Sequence, residues 1–328
     1  MGAAGEKPIR LKEADGAEIL SLVDNSVDFL SAVNKQQVQS FRQWKRERGG
    51  GDWGATHMDL PVAEHGFSVL IRVFSGDETS CVLFDTGGTK KGMVENAECM
   101  GINLSEVESV VISHGHYDHF GGLAAAVKAI GKADLPIIVH ENMFKTRGSA
   151  NAKGAVRQYP DFPAEAELSP ARLVSTKHPS LTGDDLVCVT GEIPRRTSFE
   201  TGYTQHKAFV SGVWKSDPLI MDERAVAVNV KGKGLVVVSG CAHAGIINTV
   251  TYAQQITGTK KVHAVIGGFH LAGKTFESRI QPTIEELQKI NPRLIVPSHC
   301  TGWRAMCTMA KAFPEVFVWN SVGNLYKI

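Results

Sequence analysis

The chain has 328 residues, 43% hydrophobic and 21% charged, an ordinary globular balance with length enough for a large core. Its 35 Lys and Arg against 34 Asp and Glu leave the charge near balance, which gives no support to a nucleic-acid or anionic-membrane partner. No apolar run approaches the ~20 residues that a membrane span needs.

The first residues, Met1 to Pro8, lack the apolar segment of a secretory signal, and the six cysteines include no C-x-x-C pair. Reduced thiols and a cytoplasmic location are the expectation. Residues 18–25 read as a strand running into a loop. Residues 34–54 change to a polar, basic stretch that closes with Gly49-Gly50-Gly51. We expect a short amphipathic helix and a hinge there, a candidate lid. Residues 67–74 and 80–84 alternate as two strands of a hairpin around Ser75-Gly76-Asp77. A helical stretch follows Asp85-Thr86-Gly87-Gly88 and ends near Gly101. Residues 107–112 form a strand, 122–130 a helix and 136–140 a strand. Residues 141–220 read as an irregular insertion carrying His178 and His206. Regular strands return at 225–230 and 234–238. After them come a strand at 262–266, a helix at 281–290, a strand at 294–296, a helix at 301–313 and a last strand at 316–319. Strands first, then strand–helix alternation in both halves, suggest one α/β domain over residues 1–328, a four-layer αββα sandwich.

Four metal-binding side chains, His114, His116, Asp118 and His119, fall within six residues directly after the expected strand 107–112. Side chains two apart in extended backbone point the same way, so His114 and His116 can grip one cation. A turn into the following helix swings Asp118 and His119 toward a second position. Imidazole with carboxylate suits Zn, Fe, Mn or Co, whereas Ca and Mg prefer oxygen alone. With 12 His in 328 residues, three in six positions are not a chance surface cluster.

Ser113-His114-Gly115-His116-Tyr117-Asp118-His119 resembles the H-x-H-x-D-H signature of the metallo-β-lactamase superfamily, and Asp85-Thr86-Gly87 resembles the strand end that precedes it. A narrower resemblance rests on Ala63-Glu-His65-Gly-Phe-Ser68, Ser239-Gly-Cys-Ala-His243, Gly267-Gly-Phe-His270 and Pro297-Ser-His299-Cys. These are similar to a branch whose members are commonly named 7,8-dihydropterin-6-yl-methyl-4-(β-D-ribofuranosyl)aminobenzene-5′-phosphate synthase. His243, His270 and His299 each follow an apolar strand, where α/β proteins place ligands.

The resemblance implies two divalent transition-metal ions, with zinc expected and iron or manganese as alternatives. His114, His116 and His243 would hold one, and Asp118, His119 and His299 the other. His270 stands where the family commonly has an Asp that bridges both ions. An imidazole has one free lone pair and cannot easily bridge, so His270 either binds one ion or acts as a general acid. Asp85 is expected to orient a ligand histidine. Cys241 and Cys300 read as small buried hydrophobes. His65, Arg195 and Arg196 are candidates for holding substrate.

The expected activity is metal-assisted hydrolysis of an ester, thioester, lactone or phosphoester, with Asp118 and His270 as catalytic side chains. The alternative is the synthase reaction of the narrower branch, a carbon–carbon condensation with loss of phosphate groups. Di-iron redox chemistry and a non-catalytic binding module rank below both. The partner is a small molecule, phosphorylated in the synthase case, and the sequence leaves the oligomeric state open.

Overall fold

The computed structural model describes residues 8–31, 35–49 and 60–328. Among these residues an eight-stranded and a seven-stranded sheet face each other, and a four-stranded sheet stands beside them. The eight-stranded sheet runs in the order Arg172–Ser175, Pro136–Val139, Ser109–Val111, Glu78–Phe84, Ser68–Ser75, Gly16–Val23, Leu325–Lys327 and Val38–Gln39. The seven-stranded sheet runs Ser180–Thr182, Val187–Val189, Ala225–Val230, Gly234–Ser239, Val262–Gly268 and Leu294–Ser298, with Glu13–Ala14 paired to Ala225–Val230.

Period-2 alternation builds the layers. Val69, Ile71 and Val73 join Val226, Val228, Val236 and Val238 in the apolar seam between the sheets. Their neighbours turn outward: Leu70 and Leu83 pack under the helices Gly92–Met100 and Leu123–Ile130. Ala227, Leu235 and Val237 pack under Ile246–Thr257 and Ile280–Ile290. Strands covered on both faces must be apolar at every position, which is why they stand out as continuous runs. The result is the αββα sandwich expected from the sequence.

Two segments differ from expectation. Residues 316–319 make only an isolated bridge, Phe317 to Ile295, and the C-terminal strand is instead Leu325–Lys327. It lies between Gly16–Val23 and Val38–Gln39 and so knits both ends of the chain into one sheet. The described part of the expected lid is packed down. The helix Phe41–Glu47 buries Phe41 and Trp44, and Trp44 Nε1 donates to Gly323 O at 2.7 Å. Position 34 and positions 50–54 lie outside the described residues.

The stretch 141–220 supplies short strands to all three sheets. The four-stranded sheet, ordered Val213–Ser216, His206–Val210, Arg147–Ala150 and Val156–Gln158, comes entirely from it.

Candidate metal centre

The signature histidines sit where Ser109–Val111 ends and the short helix Tyr117–Phe120 begins. His243 follows Gly234–Ser239, His270 follows Val262–Gly268 and His299 follows Leu294–Ser298, all at one edge of the sandwich. Asp85, Ala242, His270 and His299 have φ of 60°, 55°, 45° and 48°, a left-handed backbone that is costly for residues other than glycine. Four such positions around one cleft indicate that local strain is accepted to aim side chains. Gly267 permits the approach: a Cβ there would lie 1.9 Å from Ser239 O, so the ends of the paired strands Gly234–Ser239 and Val262–Gly268 could not otherwise come this close.

Two donor groups converge. In the first, His114 Nε2 lies 3.0 Å from His116 Nδ1 and 3.2 Å from His243 Nε2. In the second, Asp118 Oδ2 lies 3.2 Å from His299 Nε2 and 3.9 Å from His119 Nε2. Two ligand atoms on one tetrahedral zinc, bound at about 2.0–2.1 Å, stand roughly 3.3 Å apart. The separations of 3.0, 3.2 and 3.2 Å fit that spacing, and the 3.9 Å between Asp118 and His119 is somewhat longer.

The outer hydrogen bonds set which ring nitrogens carry protons. His114 Nδ1 donates to Ser113 Oγ at 2.9 Å, His119 Nδ1 to Asp85 Oδ2 at 2.7 Å and His299 Nδ1 to Asn25 Oδ1 at 3.0 Å. His206 Nδ1 donates to Asp217 O at 2.8 Å, which leaves its Nε2 to accept from His116 Nε2 at 3.0 Å. Each of these histidines so oriented turns a lone pair inward, and lone pairs 3 Å apart repel unless a cation lies between them. The ring atoms His243 Nδ1, His270 Nδ1 and His299 Nε2 are buried without a hydrogen-bond partner. This donor set fits divalent transition-metal ions.

Electrostatics agree. Burial, reinforced by neighbouring imidazoles, pushes His114, His116 and His243 well below the ordinary range and keeps them neutral. At His119 burial acts downward too, but Asp85 and Asp118 outweigh it and push the ring up to about 9. That proton offsets two carboxylates, and a divalent cation would replace it.

Buried charges hold the frame. Asp222 accepts from Gly115 N at 2.8 Å and pairs with Arg147 through two bonds of 2.8 and 2.7 Å. Glu223, pushed up to about 7 chiefly by burial, accepts from the backbone N–H of His243 at 2.6 Å and from that of Ala244. Asp24 accepts from His299 N at 2.7 Å. Asp85 accepts from Ser113 N and Ser113 Oγ, both at 2.7 Å, besides holding His119.

His270 packs its ring 4.2 Å from that of His243 and 4.5 Å from Phe276, facing the centre. His65 lies at the mouth, its side chain 60% exposed and Nε2 3.3 Å from Asp118 Oδ2. That hydrogen bond raises its pKa despite partial burial. Cys241 is buried in the centre, with Sγ 3.2 Å from His119 Nε2, and burial pushes its thiol well up. Arg195 is held away from this cluster by main-chain carbonyls: its guanidinium donates to Ile193 O and Leu219 O. Arg196 and His178 are exposed. A cleft of about 290 Å³ opens onto the donors, and Arg157, Tyr159, Tyr203 and Phe276 form its walls.

Sequence reasoning missed His206, Arg147, Arg157 and the Asp222–Glu223 pair. Asp222-Glu223-Arg224 carried a readable signal, three charges directly ahead of an apolar strand. His206 and the two arginines carried none.

Comparison with known proteins completes the picture. Residues 62–197 match the profile of the metallo-beta-lactamase superfamily. A 7,8-dihydropterin-6-methyl-4-(beta-D-ribofuranosyl)-aminobenzene-5′-phosphate synthase of Methanocaldococcus jannaschii is 32% identical over 277 residues, 81% of this chain and 90% of that protein. An uncharacterized protein of the same organism is 29% identical over 272 residues, 81% of this chain and 94% of its own length. Among solved structures, Tm1679, a metal-dependent hydrolase of the beta-lactamase superfamily, superposes with a TM-score of 0.69 at 25% identity. The match covers 95% of this chain and 98% of that one.

Proposed function

We propose that this chain, which belongs to the metallo-β-lactamase superfamily, is a two-metal enzyme that condenses two small molecules, at least one of them phosphorylated. The reaction would be of the type named for the Methanocaldococcus jannaschii synthase, joining a 7,8-dihydropterin-6-methyl unit to a 4-(β-D-ribofuranosyl)aminobenzene-5′-phosphate. The arylamine nitrogen attacks the 6-methylene carbon, the C–O bond to diphosphate breaks and the nitrogen loses a proton, so the bond formed is C–N rather than the carbon–carbon bond expected above. The observation that carries the reading is the cleft beside the donors. Tyr159, Tyr203 and Phe276 offer aromatic walls, with Tyr203 and Phe276 rings 5.5 Å apart, and Arg157 brings a guanidinium. Flat heteroaromatic rings stack on such walls, and a phosphate pairs with such a cation.

His114, His116 and His243 would hold one ion and Asp118, His119 and His299 the other. Ions there would supply Lewis acidity toward a phosphoryl or carbonyl oxygen and bring the pKa of a water toward neutrality. The protein's own groups do the rest. Tyr159, Tyr203 and Phe276 position the rings and exclude water from one side of the cleft. Arg157 neutralises phosphate. His65, at the mouth with Nε2 3.3 Å from Asp118 Oδ2, is placed to pass a proton to a departing phosphate oxygen. His270 lines the same cleft and is the second candidate proton donor.

Hydrolysis is the second reading, favoured by the likeness to Tm1679 and by the half-open mouth at His65. Purified metal-loaded protein separates the two. Incubated with a dihydropterin bearing a 6-methyl diphosphate and the aminobenzene riboside phosphate, a synthase yields coupled product and free diphosphate by mass spectrometry. Turnover of simple phosphoesters or esters without coupling would overturn the synthase reading.

A further inference from the structure

Two divalent ions and the six ligands named above leave a buried formal charge of +3, because Asp118 is the one anionic ligand among them. Such an excess is costly in a water-poor site, and a second anionic ligand shared by both ions would relieve it. The loop where the family commonly supplies a bridging carboxylate carries His270, and one imidazole lone pair cannot bridge.

Cys241 stands in that gap. Its Sγ lies within 4.8 Å of the ligand nitrogens of His114 and His243 on one side and of His119 and His299 on the other. Among the described residues it is the side chain common to both groups. The separation from His119 Nε2 is 3.2 Å, and a sulfur and a nitrogen on one tetrahedral zinc stand roughly 3.5 Å apart. His299, 4% exposed, brings a buried Nε2 without a hydrogen-bond partner into the same group as Cys241 Sγ, 3.2 Å from Asp118 Oδ2. Ala242, in the left-handed conformation between Cys241 and His243, lets both side chains face the centre.

We propose that Cys241 is a metal ligand whose thiolate bridges the two cation positions in place of the usual carboxylate. This rests on the two-metal reading above. A thiolate has several lone pairs, loses its proton outright on coordination and brings the site charge from +3 to +2. It also biases the centre toward zinc, cobalt or iron and away from magnesium, which favours oxygen. Cys300 is the neighbouring thiol: it forms a further group with Cys241 and His270, and its S–H donates to Cys241 O at 3.4 Å. Cys300→Ser is therefore the comparison variant.

The test is zinc X-ray absorption on the full-length zinc-loaded protein, with zinc content measured on the same sample. A bridging sulfur is counted by both ions, so the proposal expects about one sulfur per zinc at about 2.3 Å. Cys241→Ser should remove that shell and Cys300→Ser should keep it. Two zinc ions with nitrogen and oxygen alone at about 2.0–2.2 Å would overturn the thiolate and leave the two-metal reading standing. About half a sulfur per zinc, or a shell that survives Cys241→Ser, would overturn the bridge as well. At most one zinc per chain would sink the two-metal reading itself, and the bridge with it. If Cys241→Ser fails to fold, Cys300→Ser carries the test: a shell of about one sulfur per zinc that survives it supports the bridge, and a shell halved by it overturns the bridge.

Discussion

Asp222→Ala tests the scaffold on which the signature loop rests. The Asp222 carboxylate is fully buried, and it binds Gly115 N and both arms of Arg147, whose side chain is 2% exposed. Truncation leaves a guanidinium buried without its counter-charge and an orphaned N–H between two ligand histidines. Removing one partner of a buried pair costs about 3–5 kcal/mol. At roughly 2 °C per kcal/mol for a chain of this size, the melting temperature should fall by roughly 6–10 °C. Arg147→Met combined with Asp222→Asn removes the charges and keeps an acceptor for Gly115, so it should recover part of the loss. Acid sensitivity follows with a definite sign. Burial alone would raise the Asp222 carboxyl, but Arg147 and the Gly115 N–H hold it below the ordinary range. Its stabilisation is complete above the unfolded value of about 3.9 and is lost as pH falls through the lower folded value. From about pH 4 downward, the gap between parent and Asp222→Ala melting temperatures should therefore begin to narrow. Thermal melts between pH 3 and 8 check both claims, and a variant within about 2 °C of the parent at pH 7 would refute the reasoning.

Asp118→Ala should empty the position shared with His119 and His299 and abolish most activity, with the fold intact by circular dichroism. His206→Ala removes the acceptor that orients His116. It should weaken zinc binding about 10–100-fold at the first position, measured by competition with a chelator, while the second position holds. His270→Ala separates two roles: a selective fall in affinity for one ion marks a ligand, whereas unchanged metal content with a lower rate marks a proton donor. An unchanged rate and unchanged metal content would exclude both.

What was legible in the sequence follows from how each feature is encoded. The central strands of both large sheets are covered on two faces and show as largely apolar runs, whereas edge strands such as Arg172–Ser175 and Ser180–Thr182 are mixed and do not. The metal signature is contiguous, and His243, His270 and His299 each follow such a run. His206 and Arg147 come from strands of five and four residues respectively, mixed in polarity and paired across about 60 positions. Local pattern cannot register that pairing. Cys241 illustrates a different limit, because a buried thiol looks alike in composition whether it fills a core or faces a metal. Residues 316–319 are apolar enough for a strand, yet the edge they approach offers a single bridge, and the shorter Leu325–Lys327 wins by pairing on both sides. Arg195 is basic, but its two terminal guanidinium nitrogens donate to the main-chain carbonyls of Ile193 and Leu219.

The central claim is a centre for two transition-metal ions, and elemental analysis of the purified chain after metal-replete expression tests it most directly. Six inward-facing donors in two groups exceed what one tetrahedral ion can use, so the account predicts about two ions per chain. A content of one ion or fewer, after replete expression and gentle desalting, would contradict it.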